Sequence, residues 1–491
     1  MQWWHALQAR MPSRLPTRWR TLPFVVSAFA LVFYAIGAAA TVQWGDSAKL
    51  SQQVLEHDPS WRLGLGAHPL HTVFGIAFST LVPWLSLALT MNLMSAFFGA
   101  LTVGLAAYVA LRVTQNTEAA LVAAGLLLVA HTPWYLSSIC ESYAMAGTLE
   151  VGALALVACA LEAESGVVLA VFAGVLLGIS PLVNSFAVLF APGVVWWALR
   201  VRPRLAAAIV IGGLGGGACA AAAYAAPLGW QGMLEMVRGQ ATTYGGSRQV
   251  LRELAETPLL VVFQFPTPLI VLLAIGAWKV RRDAAVQGIL LGALCVALFA
   301  ANYLRQKHFE ILLGAYIPLA VAGGIVAATQ LRKPALWIAA HVAVTVAIYA
   351  LAPFVVSSVV DRMLSARPLP GRDSAYFLRP WKRGRNDGDD WARRVLREIP
   401  DHATVVSDFT PGRVLRFVHD TTPIHKDFSF LETDKYMSVE GVPLFIASLH
   451  ERLAKGPVVF AQDYAPYYFT DEVRKFFALN ACADLFCLTD H

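Results

Sequence analysis

Residues 42–70 read VQWGDSAKLSQQVLEHDPSWRLGLGAHPL, a polar segment carrying Asp46, Lys49, Asp58, Arg62, His57 and His68 between two long apolar stretches. Upstream, Thr21 to Gly45 carries no charge and is long enough to cross a hydrocarbon core of roughly 30 Å as a helix. Arg10, Arg14, Arg18 and Arg20 precede it, so the positive-inside bias puts the N-terminus in the cytosol and the 42–70 loop on the outer side. A cleaved signal peptide is the rival reading, but its apolar run would be unusually long and many further spans follow.

Composition agrees with a chain that meets two solvents. Of 491 residues, 57% are hydrophobic and 14% charged, well below the ~25% charged of a soluble domain. The charge is uneven: residues 361–491 hold 37 charged side chains, and the 360 residues before them hold 33. The segments are too apolar for a disordered chain. The net charge of +6 is accounted for by topology, which leaves no reason to invoke nucleic acid.

Apolar blocks after the first lie at about 71–90, 92–112, 118–136, 142–161, 166–180, 182–199, 205–227, 257–278, 284–302, 309–329 and 334–357. Basic clusters at Arg200/Arg202/Arg204, Lys279/Arg281/Arg282 and Arg332/Lys333 fall on the cytosolic side. The last block then delivers the charged tail to the outer face. That outcome needs an odd number of crossings, so about 11 are expected. One half of the uncharged run from Thr72 to Leu111, divided only by the Thr90–Asn92 step, is expected not to cross. Gly212, Gly213 and Gly215 to Gly217 predict a helix-packing seam, since small side chains let backbones approach in lipid.

Polar groups that run against this grain are the candidate site residues. Asp46 and Lys49, three apart, share a face of a short helix if one forms there. Trp44, Trp61, Leu63 and Leu65 would hold that loop against the membrane surface. Glu141 and Tyr143 follow the end of one block, and Glu150, nine residues on from Glu141, points to the opposite helix face. In Ile179–Ser185, ISPLVNS, Pro181 breaks a helix and Asn184 offers an amide. Arg305, Lys307 and His308, with Glu310, form an outward basic cluster at headgroup level, suited to a phosphate. Residues 231–256 read as a polar outward loop, and the Pro266/Pro268 pair as an irregular first turn of the next span.

In the tail, Pro368 to Gly388 reads as a basic connector. Helices are expected at 389–399, 411–418, 442–455 and 470–479, and strands at 403–407, 457–461 and 483–488. The domain plan is therefore a multispan unit at 1–360, a connector at 361–388 and an extracytoplasmic α/β domain at 389–491. Asp408 and Asp463 each follow a strand, a common place for turn chemistry. Cys482 and Cys487, five apart, could bridge in an oxidising compartment, although spacing alone leaves this open.

The chain resembles polyprenyl-phosphate-dependent glycosyltransferases of the GT-C fold, close to the bacterial membrane family related to protein O-mannosyltransferases. The residues that carry the resemblance are WGDSAKL at 44–50 with GLGAHPL at 64–70, NLMSAFFGAL from Asn92, ICESYAMAGTLEVGALAL around Glu141, and GISPLVNS at 178–185. The resemblance implies a mainly α polytopic GT-C-like fold, seated in the bacterial inner membrane with a small outer α/β domain. It implies transfer of a sugar from a polyprenyl-phosphate donor to a lipid, glycan or protein hydroxyl. Asp46 takes the role of general base, and Arg305, Lys307 and His308, with Lys49 and Arg62 in reserve, that of donor phosphate ligands. His68, Glu141, Tyr143 and Asn184 would line the sugar or acceptor cleft. Leu70 stands where the family often has a second proline, and Asp46 is followed by Ser47 where several protein mannosyltransferases have a paired Asp-Glu. A single base without an evident nucleophile favours inversion. No convincing carboxylate set for a divalent metal accompanies Asp46, and no other cofactor is expected.

Two other classes compete. A transporter or lipid flippase would use broken helices and buried acids, but the internal repeat such folds often show is not visible. A noncatalytic scaffold would leave Asp46 an ordinary loop carboxylate.

Overall fold

The structure is a computed structural model that describes residues 19, 21–59, 67–241, 247–303, 308–364, 369–424, 427–437 and 441–490. The membrane part is helical throughout. Helix α1 (Leu22–Gly37) is followed by the short α2 (Asp46–Leu55), then α3 (Pro69–Leu81), α4 (Leu87–Thr114), α5 (Thr117–Val129), α6 (His131–Leu136) and α7 (Ser142–Glu162). Six helices among the described residues are long and apolar enough to cross a membrane, or seven with one bent pair counted once; five more apolar helices are shorter. Phe24, Phe354 and Val355 are each more than three-quarters exposed, which suits a hydrocarbon solvent and not water.

The 28-residue α4 runs for about 42 Å through the middle of the bundle. Its start is fixed by the Ser86 hydroxyl, which accepts from the Leu89 N–H at 3.4 Å. At its far end Arg112 pairs with Glu162 of α7. The helix corrects one expectation: the run from Thr72 to Leu111 breaks at 82–86, around Pro83, and not at Thr90–Asn92. Asn92 lies buried inside α4, where its amide donates to the carbonyls of Ala39 (2.9 Å) and Thr41 (3.2 Å). The side chain that looked like a break thus ties α4 to the end of the chain leaving α1.

The small-residue seam forms at Gly212 and Gly216, while a Cβ on Gly215 or Gly217 of the expected run would meet nothing within 4 Å. Helices α8 (Val167–Ile179) and α10, after α9 (Ala191–Val201) and spanning Pro203–Ala241, pack backbone to backbone. A Cβ placed on Gly174 would come 2.0 Å from the Ile209 carbonyl oxygen, and one on Gly212 would come 2.1 Å from that of Val171. Only glycine permits this approach.

The region between the two halves of the bundle departs from expectation. Residues 231–241 continue α10 beyond a break at Gly229, whose φ is +70°, and α11 (Ser247–Gln264) is helical as well, so little of the expected 231–256 loop remains. The block at 257–278 is not one continuous helix. α11 and α12 (Leu269–Lys279) meet at a 118° bend across Phe265–Pro268, where Pro266 and Pro268 cannot supply the N–H groups a continuous helix needs. Tyr349 satisfies carbonyls exposed there, donating to Phe263 at 2.7 Å and Gln264 at 3.1 Å. Helices α13 (Ala284–Asn302), α14 (His308–Ile311), α15 (Leu313–Gln330) and α16 (Pro334–Leu364) complete the membrane part.

The 361–388 stretch is a structured strap more than a linker: α16 extends to Leu364, and α17 (Ser374–Leu378) lies within it. The tail follows with α18 (Asp387–Glu398), β1 (Ala403–Ser407), α19 (Phe409–Thr421), β2 (Phe428–Glu432), α20 (Gly441–Leu453), β3 (Val458–Phe460), α21 (Ala465–Tyr468), α22 (Thr470–Val473), β4 (Phe477–Cys482) and β5 (Leu485–Asp490). The five strands form one mixed sheet in the order β2-β1-β3-β5-β4. β1 runs parallel to β2 and β3, while β5 is antiparallel to β3 and β4. The expected helix at 470–479 stops at Val473, because Phe477 to Cys482 is taken into the sheet as β4. Cys482 and Cys487 are bridged across this hairpin. Buried apolar side chains are continuous from Tyr34 in α1 to Val405 and Phe460 in the sheet.

Candidate active site

Helix α2 begins one residue after Gly45, whose φ of +76° turns the chain sharply out of α1. The positive φ favours glycine. Asp46 occupies the first turn, where a carboxylate is favoured by the helix dipole. Residues Ser47 to Val54 are all buried, so α2 does not lie open on the membrane surface. The tail covers it: Gln52 donates to Asp420 of α19 at 2.7 Å, Gln43 donates to the Arg385 carbonyl at 2.8 Å, and the rings of Trp44 and Trp391 lie 5.3 Å apart. The N–H groups of Lys382 (2.7 Å) and Arg383 (3.0 Å) both donate to the carbonyl of Gly37 at the end of α1. Asp46 itself remains partly accessible.

Around Asp46 the fold gathers five of the expected residues, Lys49, His68, Glu141, Tyr143 and Asn184. His68, the residue before α3, lies in the fields of both Lys49 and Asp46. Its Nδ1–H donates to the Val183 carbonyl at 2.5 Å, which joins the end of the first loop to ISPLVNS. Burial, then the Lys49 charge, lowers the His68 pKa to about 4, against the opposing effects of Asp46 and the Val183 carbonyl. The imidazole is therefore neutral near pH 7 and donates from Nδ1. Asn184 donates to the Ser142 hydroxyl at 3.1 Å and caps the 3-10 helix Ser185–Phe190. Tyr143, next to Ser142, stacks on Phe186 at 5.6 Å and lies in the fields of Glu310, Glu141 and Asp46. Glu141 is buried at the N-cap of α7, with its N–H donating to Ser95 Oγ at 3.1 Å. Glu150 is also buried, but deeper in the same helix; a Cβ on Gly314 would lie 3.0 Å from its carboxylate.

The other candidates divide. Arg62, Arg305 and Lys307 lie outside the described residues; His308 opens α14, with nothing described of its side chain. Glu310, in the same short helix, is brought to the cleft beside Tyr143 and Tyr135. Asp408 is the N-cap of α19 and accepts from the Tyr468 hydroxyl at 3.2 Å, and Asp463 pairs with Arg474. Among the described residues no three His, Cys, Asp or Glu side chains come together as a metal site.

Sequence reading did not single out the far end of the cleft. Tyr135 of α6 faces Tyr376 of α17, ring centroids 6.3 Å apart, and Glu310, Arg372 and Glu141 all act on it electrostatically. Lys382 is fully buried here. Its ammonium donates to the carbonyls of Tyr376 (2.7 Å) and Arg379, and sits 4.4 Å from the Tyr135 ring centroid. Burial, reinforced by Arg385 and opposed by Asp373, holds its pKa well below the usual lysine range. The basic composition of 368–388 was the available signal, but a linker and a structured strap look alike at that level.

An apolar void of about 600 Å³ lined by Leu22, Val26, Phe29, Val103, Leu128 and Ile338 shares no residue with this cleft. It offers no polar chemistry.

No protein-family model matches the sequence, and no curated protein matches it significantly. Among solved structures, ArnT from Cupriavidus metallidurans overlays in its apo state with a TM-score of 0.59 at 14% identity, covering 96% of this chain and 98% of ArnT. ArnT bound to undecaprenyl phosphate gives a TM-score of 0.58 at 12% identity, with the same coverage. An oligosaccharyltransferase from Archaeoglobus fulgidus gives 0.49 at 13% identity, covering 95% of this chain and 73% of its own. The two ArnT overlays, along nearly the whole of both chains, give this protein a GT-C-like membrane fold.

Proposed function

We propose that this protein transfers a sugar from a polyprenyl-phosphate-linked donor to a hydroxyl acceptor, with inversion and with Asp46 as the general base. The observation that carries the reading is the placement of Asp46: a partly accessible carboxylate on a buried helix, roofed by the tail, in a polar cluster with Lys49, His68, Glu141 and Tyr143. The fold likeness to ArnT, one of whose structures holds undecaprenyl phosphate, supports a lipid-linked donor.

In the reaction the acceptor oxygen attacks the anomeric carbon while its proton passes to the Asp46 carboxylate. The bond from that carbon to the phosphate oxygen breaks, and its electron pair stays on the phosphate. The leaving group is already an anion, so it requires positive charge and no acid. Lys49, one helical turn from Asp46, supplies charge on the acceptor side. Neutral His68 is a hydrogen-bonding wall tied to Val183.

Eleven crossings fit the helices if α1, α5, α8 and the helical stretch Ser185–Val201 span together with the six long helices and the bent pair. α3 is then the segment that does not cross, consistent with its place beside the Asp46 loop. In this orientation the N-terminus is cytosolic and the tail lies outside the bacterial inner membrane.

The test is transfer by the purified chain, reconstituted in lipid, from a labelled polyprenyl-phosphate sugar to candidate hydroxyl acceptors. The wild type should transfer, and Asp46→Asn should not, with expression and melting behaviour retained. Transfer at the wild-type rate by Asp46→Asn would sink the base assignment, and movement of intact donor across the bilayer without transfer would favour a flippase.

A further inference from the structure

Among the described residues the proposed reaction still lacks a counterpart for one group, the phosphate that departs, since Arg62, Arg305 and Lys307 lie outside them. We propose that Arg372, carried by the strap of the outer domain, is the guanidinium that holds this phosphate. The assignment rests on the glycosyl-transfer reading above and adds to it that the active site is completed by the tail.

The turn that presents Arg372 is built for one geometry. The Arg372 N–H donates to the Leu369 carbonyl at 3.0 Å, and between them Gly371 has a φ of +66°. A Cβ on Gly371 would lie 2.0 Å from the Asp387 carboxyl carbon, so both the angle and the space exclude a side chain. Arg385 fastens the turn from beneath by donating to the Gly371 carbonyl and pairing with Asp373 (3.2 Å) and Asp387 (2.9 Å). Phe377, over which the Arg372 guanidinium sits at 4.9 Å, is fixed to the membrane part through its carbonyl, which accepts from His131 Nε2–H at 2.7 Å. The arginine is thus positioned by both parts of the protein.

Lys382 and Arg385 are already committed, while Arg372 and Arg379 each lie over a phenylalanine ring with a buried Nε that lacks a hydrogen-bond partner; of these two, Arg372 is the one that acts on Tyr135. Lys382 is used by two carbonyls and two aromatic rings, and Arg385 by two carboxylates. Among the described residues no carboxylate pairs with Arg372, and its Nε is buried without a hydrogen-bond partner. The group it faces is Tyr135, which also feels Glu310 and Glu141, and these carboxylates connect through Tyr143 to Asp46. Asp46 and Arg372 are thus linked through one chain of electrostatic neighbours, Arg372 acting with Glu310 and Glu141 on Tyr135, and Asp46 acting with the same two carboxylates on Tyr143. A planar fork of donors suits a phosphate monoester, and the ester gains negative charge as the sugar leaves.

The test compares binding of undecaprenyl phosphate and undecaprenol to the full chain in nanodiscs, by quenching of intrinsic tryptophan fluorescence. Arg372→Met keeps the aliphatic stem over Phe377, and Arg372→Lys keeps the charge. The wild type should prefer the phosphate. Arg372→Met should lose about 10–100-fold of that preference, with undecaprenol binding and melting temperature unchanged, and Arg372→Lys should recover part of it. If Arg372→Met keeps the full preference, or loses binding of phosphate and alcohol equally, the assignment is wrong while the glycosyl-transfer reading stands. If the wild type shows no preference for the phosphate, both fall.

Discussion

The rings of Trp44 and Trp391 lie 5.3 Å apart and tilted by 49°, one at the mouth of the Asp46 loop and the other in the first helix of the tail. Both are buried, and Gly388 closes over Trp44 from the same side. The contact joins a membrane-side loop to a water-side domain across 347 residues of sequence. It makes the tail a wall of the cleft and not an appendage.

Trp391→Ala is therefore expected to cost about 3–5 kcal/mol, the range for removing a buried tryptophan, and to loosen the tail over α2. Limited proteolysis should cut the 365–388 strap faster than in the wild type, and sugar transfer should fall together with it. Unchanged cleavage with unchanged transfer would show that the tail does not depend on this contact.

The parts of this architecture that were legible in the sequence were those set by local chemistry. Apolar length marked the long helices, the Gly212–Gly217 run marked the seam, and the amphipathic stretch at 389–399 marked α18. Misreadings arose where distant partners decide. Asn92 looked like a break because its amide is polar, yet carbonyls more than 50 residues away satisfy it. Residues 470–479 have helical content, but a hairpin closed by Cys482–Cys487 takes their second half into the sheet. For the candidate site, Asp46, His68, Glu141, Tyr143 and Asn184 stood out as polar groups against an apolar background, and the fold brings them together. Arg372 and Lys382 did not, since in a charged tail a basic residue carries no such contrast.

The strap gives a second prediction. Gly371→Ala places a methyl group against Asp387 at a backbone angle that alanine avoids, and it displaces the turn that Arg385 fastens. The expected loss is about 1–3 kcal/mol, from an enforced left-handed conformation plus overlap. The kinetic signature should be a raised KM for the lipid-linked donor with the acceptor KM little changed. An equal rise in both would point to a general loosening of the cleft.

His68 gives a prediction in pH. Its pKa is 6.5 in the unfolded chain and about 4 in the fold, where Lys49, Asp46 and His71 face it. Between these values the unfolded chain binds more protons at this position. The contribution to stability is thus fully present above pH 6.5 and is lost as pH falls towards 4, by at most about 3 kcal/mol. Thermal midpoints at pH 7.5 and 4.5 should differ more for the wild type than for His68→Asn, which retains a donor towards Val183. Equal acid sensitivity in the two proteins would mean that this imidazole is not the group responsible.

Lys49 separates charge from packing. It is buried on the same helix as Asp46, one turn away, and acts on both His68 and His71. Lys49→Met preserves the stem that packs within α2 and removes the ammonium. Two effects should follow from that one loss. The pKa of the Asp46 carboxylate should rise without a neighbouring cation, moving the acidic limb of the pH–rate profile upward, because a base must be ionised to accept the acceptor's proton. At a pH above that limb the maximal rate should still fall about 10–100-fold, as positive charge near the developing transition state is missing. Lys49→Arg should restore the position of the limb more fully than the rate, since it returns the charge but in a larger, differently directed head. A profile whose acidic limb is the same in Lys49→Met and wild type would mean that Lys49 does not act on the proposed base, Asp46.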